Sequence, residues 1–460
     1  MSIGDLASGG LVGLDWLVLG YFVLVNGMLT ILLVSAAWEM RRHRQDVWGE
    51  NRWRVLSSEV APTVSVLAPA HDEARTVSES VRSLLTLRYP SLEVVVVNDG
   101  SGDGTLDVLR RDFDLVEIDA TALRRRLDAA PVRGLYRSRR TPALVVVDKE
   151  NGGKADALNV ALDVASGELV CAIDSDTLVE ADALQRMIRP FLVSSEVVAV
   201  GGTIRAVNGC DVRAGRVVRQ RAPRRLVEAL QAVEYLRAFM AGRLGWNRLG
   251  GNLVISGAFG LFRREPMIAA GGYEHETVGE DMEVVVRMRR LARERGTGDH
   301  VIFVPDPVAW TEVPSTLHML ARQRDRWHRG LADVLRRHGR MVLNPHYSAL
   351  GLFVMPYFVF VELLAPVVEI VGLLAVALGL AWGVVDIRFA VLFVAVAYGF
   401  SLVLNAFTLA LEEWTYRGYG RLGDRLFLML VSVIEGLGYR QLTAVWRLRG
   451  LARYGRAGRE

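Results

Sequence analysis

The chain has 460 residues, too many for one ordinary domain, and its 51% hydrophobic content beside 23% charged residues joins a soluble part to a membrane part. Lys and Arg number 55 against 51 Asp and Glu, leaving only +4, so no nucleic acid is expected as a partner. The excess is local: Arg41-Arg42-His43-Arg44 follows the first apolar stretch, and Arg447, Arg449, Arg453 and Arg456 crowd the C-terminus, as membrane-surface anchors do. Cys171 and Cys210, the two cysteines, lack a metal-ligand spacing and fit a reducing compartment.

Residues 16–38 carry no Lys or Arg and exceed the roughly 20 residues that cross a hydrocarbon core, which predicts a transmembrane helix over 14–40. A signal peptide would carry its basic residues before the apolar run, and here they come after it. The positive flank puts the N-terminus outside and the bulk of the chain in the cytoplasm.

Residues 60–335 read as a globular domain of α/β class. Thr63–Ala68, Leu92–Val97, Ala143–Val147 and Leu169–Ile173 are short apolar runs closed by polar or turn residues, the pattern of buried parallel strands. Thr76–Leu87 and Lys154–Ala165 have helical spacing, so the unit is βαβ, and ligands belong at the carboxyl ends of its strands. The Arg-rich stretch 119–140 shows no period and is expected as a surface excursion.

Five of the polar segments carry chemistry. Asp72 and Glu73 follow the first strand and Asp99 follows the second, each able to accept from a nucleobase imide or a ribose hydroxyl; the glycines after Asp99 are spaced GxGxG, which fails the dinucleotide fingerprint. Asn151-Gly152-Gly153-Lys154 opens a helix, placing a lysine and backbone amides where a diphosphate can sit. Asp174-Ser175-Asp176 ends a strand with two carboxylates for a divalent ion, Mg2+ or Mn2+. In Gly279-Glu280-Asp281, Asp281 is the candidate base that deprotonates an acceptor hydroxyl, with Glu280 counted beside it. The plain alternatives are a turn at Asp99 and a dipole-favoured acidic helix start at Glu280.

Gln323, Arg326 and Trp327 are spaced to share one helix face, where Arg can clamp a diphosphate and Trp can flank a sugar ring. Arg322, Arg324 and Arg329 extend that face as if toward lipid headgroups. After a linker at 336–348, residues 349–446 hold at least two further crossings: 349–382, which Pro356 and Pro366 bend, and 389–411. Segment 426–446 is polar enough to lie in the interface, and 447–460 is a basic tail. Glu362 and Glu369, seven apart in an apolar block, are expected to face a glycan path or a helix partner.

With these residues in view, the chain resembles the membrane-embedded family 2 glycosyltransferases, among them cellulose, chitin, hyaluronan and poly-N-acetylglucosamine synthases. Gln323–Trp327 matches the QxxRW pattern of the processive members, and Asp99, Asp174 with Asp176, and Asp281 match the other acidic motifs. The family's base motif has Thr where this chain has Gly279, and its first-strand motif has Asn where this chain has Asp72. The resemblance implies a GT-A domain between transmembrane helices, a UDP-sugar donor, inversion at the anomeric carbon and a polymer passed through the membrane helices. It implies UDP-N-acetylglucosamine or UDP-glucose as donor, a glycan acceptor, membrane lipids around the spans, and room for an accessory export subunit. Two alternatives stand beside it: transfer to a lipid acceptor, and a non-catalytic nucleotide-binding scaffold.

Overall fold

The structure is a computed structural model that describes residues 3–48, 61–119, 125–213, 215–416 and 418–457. The chain divides into two compact units. A sheet unit comprises Arg42–Arg219 and Gly250–Glu312; a helical unit comprises Met1–Arg41, Gln220–Leu249 and Val313–Glu460.

The sheet unit is built on ten strands: β1 (Val64–Ala70), β2 (Leu92–Asp99), β3 (Leu115–Ile118), β4 (Val132–Ser138), β5 (Leu144–Lys149), β6 (Leu169–Ile173), β7 (Leu178–Val179), β8 (Val197–Ala206), β11 (Phe259–Arg263) and β12 (His300–Thr311). The hairpin β9 (Asp211–Arg213) and β10 (Arg216–Arg219) stands apart from them, and the large sheet runs β3-β4-β5-β2-β1-β6-β11-β8-β12-β7. At its centre β5, β2, β1 and β6 are parallel, as their valine runs predict for strands covered on both faces. Their register aligns the carboxyl ends: Ala70 pairs with Asn98 and Asp99 with Lys149, so these strands stop at one edge. β11 joins β6 and β8 antiparallel, and helices Lys154–Val164 and Glu280–Arg295 contribute Leu158, Leu162, Val284, Val285 and Met288 to one buried core that also holds Val95, Val97 and Val147.

One expectation changes. Within 119–140, Val132–Ser138 is a sheet strand, with Leu135 and Tyr136 buried and Arg133 and Arg137 exposed. The flanking arginines hid its alternation; residues 120–124 lie outside the described residues.

In the helical unit the first helix, Ile3–Trp48, contains the expected span. Among the described residues two helices, Gly10–Gln45 and Ile387–Tyr416, are long and apolar enough to cross a membrane. Leu350–Leu363 and Ala365–Ala381 meet at 46° and make a third crossing if they form one span; Pro366 begins the second arm, so the bend lies where the sequence put it. Val18 and Phe22 of the first helix pack on Val376 and Phe393, and a Cβ on Gly372 would lie 2.5 Å from Val18. Helices Leu226–Leu236 and Leu317–Arg337, expected inside the globular domain, belong to this unit.

Candidate active site

The loops leaving β1 and β2 are stitched together at the carboxyl edge. Asp72 sits at φ +54°, a left-handed conformation that Asp tolerates, and its backbone N–H donates to Ser101 Oγ (3.0 Å) while its Oδ1 accepts from the Gly102 amide (2.8 Å). Glu73 and Ala74 amides donate to Thr105 Oγ1 and Asp103 Oδ2, both at 2.9 Å. The Thr105 hydroxyl and the Ala74 amide hold the Asp103 carboxyl below its ordinary range.

Asp99, expected to face a nucleoside, is turned inward. It is 4% exposed; Oδ1 lies 2.5 Å from Lys149 Nζ and accepts from Gly152 N (3.0 Å), and Oδ2 accepts from Gly153 N (2.8 Å). Its carboxylate is spent within the protein, and so are two of the amides expected to be open to a diphosphate.

Lys154 begins its helix beside the other acids. Its Nζ lies 2.5 Å from Asp174 Oδ1 and 3.5 Å from Glu280 Oε1. Asp281 is in the first turn of Glu280–Arg295 and accepts from its neighbour's amide, Met282 N (2.8 Å), and from Gly257 N (3.3 Å). A Cβ on Gly257 would stand 3.5 Å from both Lys154 Nζ and Asp281 Oδ2, ordinary contact, so Gly257 lies at the corner where lysine and carboxylate meet. Between Lys154, Gly257, Tyr273, Glu280 and Asp281 remains a space of about 10 Å³, room for one water.

Charge is unevenly distributed. Burial and then Asp281 push Glu280 up, with Lys154 opposing. Burial would lower Lys154, but Asp174 and Glu280 outweigh it and hold the ammonium above its ordinary value. Partial burial, then Asp174 and Glu312, raise Asp176, although that residue keeps access to solvent. Asp174 and Asp176 border a cleft of about 270 Å³ with Pro69, Glu73, Thr76 and Val212. Among the described residues no group of three or more His, Cys, Asp or Glu could hold a metal ion. Asp174 and Asp176 supply two neighbouring carboxylates, the hard oxygen donors a divalent ion would take, with its further ligands coming from outside the protein.

Gln323, Arg326 and Trp327 belong to the helical unit, on Leu317–Arg337. Arg326 is exposed and Trp327 44% exposed, but Arg324 does not extend an outward basic face: it is 4% exposed, 2.7 Å from Glu234 Oε2, with its guanidinium 4.5 Å from the Trp327 ring centroid. Trp246 is buried edge-on against Tyr357 and so does not reach an acceptor from this position.

Sequence reasoning missed Lys149, Asp156, Gly257 and Tyr273. A lysine closing the apolar run Leu144–Val147 was a signal for the first; nothing in the local sequence marks Gly257.

Residues 61–330, more than half of the chain, match the glycosyltransferase-like family 2 model, and the chain belongs to that family. Its particular relatives include the poly-β-1,6-N-acetyl-D-glucosamine synthase of Staphylococcus epidermidis, 26% identical over 279 residues, which cover 60% of this chain and 56% of that protein. A probable glycosyltransferase of Bacillus subtilis, YdaM, is 26% identical over 286 residues, 61% of this chain and 57% of that protein. The chain thus spans little more than half the length of these curated relatives. Among solved structures, the mannosyltransferase PcManGT of Pyrobaculum calidifontis, in complex with GDP-Man and Mn2+, superposes with a TM-score of 0.50 over 89% of this chain and 99% of that one at 22% identity, which shows the GT-A fold.

Proposed function

We propose that this protein is an inverting membrane glycosyltransferase that moves a sugar, N-acetylglucosamine or glucose, from its UDP-linked donor to a growing glycan, as a processive polysaccharide synthase coupled to export. The observation that carries this reading is the meeting of Lys154, Asp174, Glu280 and Asp281 at the carboxyl edge of a GT-A sheet.

In this reading Asp281 accepts the proton of the acceptor hydroxyl. The freed oxygen attacks the anomeric carbon as its bond to the diphosphate breaks, which inverts that centre. Glu280, beside the base and 3.5 Å from Lys154 Nζ, is assigned to holding that ammonium in place. Lys154 receives the charge that develops on the diphosphate. Asp174 and Asp176 would hold Mg2+ or Mn2+, whose contribution is to neutralise that same diphosphate. Asp72 and Glu73 are assigned to the nucleoside, with Asp99 behind them as a positioning group. Gln323, Arg326 and Trp327 are assigned to the diphosphate and the acceptor on the strength of the QxxRW pattern.

In this reading the protein sits in a bacterial-type plasma membrane with the sheet unit in the cytoplasm, where nucleotide sugars are made; the two helices long and apolar enough to cross a membrane support it. Within the helical unit, Glu362 and Glu369 border a cavity of about 310 Å³ together with Arg440 and Arg447, and this is the proposed glycan path.

The deciding experiment is UDP release by the purified, detergent-solubilised chain with UDP-N-acetylglucosamine and UDP-glucose in turn, with Mg2+ or Mn2+, and then sizing of the product. Long glycan supports the synthase. One or two sugars on a lipid replaces it with a lipid glycosyltransferase, and no release with any donor leaves a nucleotide-binding scaffold.

A further inference from the structure

We infer that Lys149 is a positioning residue for the diphosphate seat, acting through Asp99 and Asp156 to fix the Gly152-Gly153 loop from which Lys154 emerges; the inference rests on the proposed donor site. Lys149 closes β5 and is wholly buried. Three oxygens lie against its ammonium: Asp99 Oδ1 and the Glu150 carbonyl, both at 2.5 Å, accept hydrogen bonds from it, and Asp156 Oδ1 at 2.6 Å is its ion-pair partner. Asp99 closes the neighbouring strand β2 in register with Lys149, and Asp156 lies in the first turn of the Lys154 helix, so a single side chain ties a strand edge to a helix start.

The tie extends through Asp99 to the loop. Its carboxylate accepts the Gly152 and Gly153 amides, and its backbone carbonyl accepts from Asn151 Nδ2 (2.9 Å). Gly153 stands at φ +88°, ψ 173°, a conformation open in practice only to glycine, and a Cβ on Gly152 would lie 2.4 Å from the Asp156 carboxyl carbon. The loop is therefore held at each residue from 151 to 153, and the residue it delivers is Lys154, 2.5 Å from Asp174. A buried ion cluster of this kind is weak evidence of stabilisation, because apolar replacements of similar volume are often neutral or better. What an apolar cluster could not supply is two carboxylate acceptors aimed at consecutive amides.

The test compares Lys149→Met and Asp156→Asn with the unmodified chain by titration with UDP and with uridine, Mn2+ present, and by amide exchange at 151–154. The expected result is a loss of UDP affinity of about 10- to 100-fold, the range over which outer partners of a ligand site act, with uridine affinity unchanged and faster exchange at Gly152 and Gly153. Equal losses for UDP and uridine would reduce Lys149 to a structural residue, and unchanged UDP affinity in a folded variant would overturn the inference. Asp156→Asn keeps side-chain shape and decides the matter if Lys149→Met does not fold. Should the unmodified chain bind neither ligand, the donor reading fails by itself, and amide exchange still tests the loop: unaltered exchange in both variants overturns the inference.

Discussion

The two units handle buried charge in opposite ways. At the sheet edge four carboxylates, Asp174, Asp176, Glu280 and Asp281, gather around one ammonium, Lys154. In the helical unit Glu234, Glu362, Glu369 and Glu435 each have an arginine of their own: Arg324 at 2.7 Å, Arg447 at 3.9 Å, Arg440 at 3.1 Å and Arg237 at 2.8 Å. Low dielectric penalises unmatched charge, so the balanced set reads as architecture that lets polar groups exist among apolar helices. The unbalanced set reads as a site whose excess negative charge a bound cation would reduce. The difference supports the proposed site at the sheet edge on grounds independent of any motif.

The sharpest way to break that comparison is Asp281→Asn. The amide has the same shape and its single oxygen can keep the shorter bond from Met282 N (2.8 Å), losing only the longer one from Gly257 N (3.3 Å), so folding and UDP affinity should be largely kept. The turnover rate should fall about 10²- to 10⁴-fold, the usual worth of a general base. Single-turnover measurement with donor and acceptor checks this, and full turnover in a folded variant would remove Asp281 from the chemistry.

On the helical side the comparison predicts a stability effect. Glu369→Leu leaves Arg440 without its carboxylate and Tyr398 without its acceptor. Breaking a buried pair costs about 3–5 kcal/mol, and since the Arg440 side chain is 27% exposed the expected loss is about 2–3 kcal/mol. Glu369→Leu with Arg440→Met should return to within about 1 kcal/mol of the original, because both charges are then gone. Equilibrium unfolding in mixed micelles measures the cycle; a double variant no better than the single one would mean the pair is not acting as a balanced unit.

The sequence was legible wherever a residue's role depends on its immediate neighbours. Valine runs marked β1, β2, β5 and β6, and the residues after β6 and at the start of Glu280–Arg295 marked the acidic edge. Pro366 marked the bend between membrane helices. What stayed hidden depends on partners distant in the chain. Asp99 looks like a ligand until Lys149, fifty residues on, takes its carboxylate. Arg324 looks like one more surface arginine until Glu234, ninety residues earlier, buries it. Gly257 has no local pattern at all, and only the fold brings it beside Lys154 and Asp281.

The smallest predicted effect tests the unbalanced cluster directly, through pH. Asp176 and Glu280 both have affinities for protons raised above the ordinary carboxylate value. Between that ordinary value and the raised one the folded chain therefore binds protons that the unfolded chain has released, so the stability these groups contribute is larger at low pH and declines as pH rises through the window. A divalent ion at Asp174 and Asp176 competes with those protons and relieves the repulsion once they are gone. Mn2+ should accordingly raise the unfolding midpoint more at about pH 8 than at about pH 5, by about 2 °C. Asp176→Asn should remove most of that gap while leaving the midpoint without metal equal or slightly higher at the upper pH, since one of the repelling charges has been deleted. A Mn2+ effect independent of pH, or one that survives Asp176→Asn undiminished, would place the ion elsewhere and leave the crowding of these carboxylates to be balanced by the donor or acceptor alone.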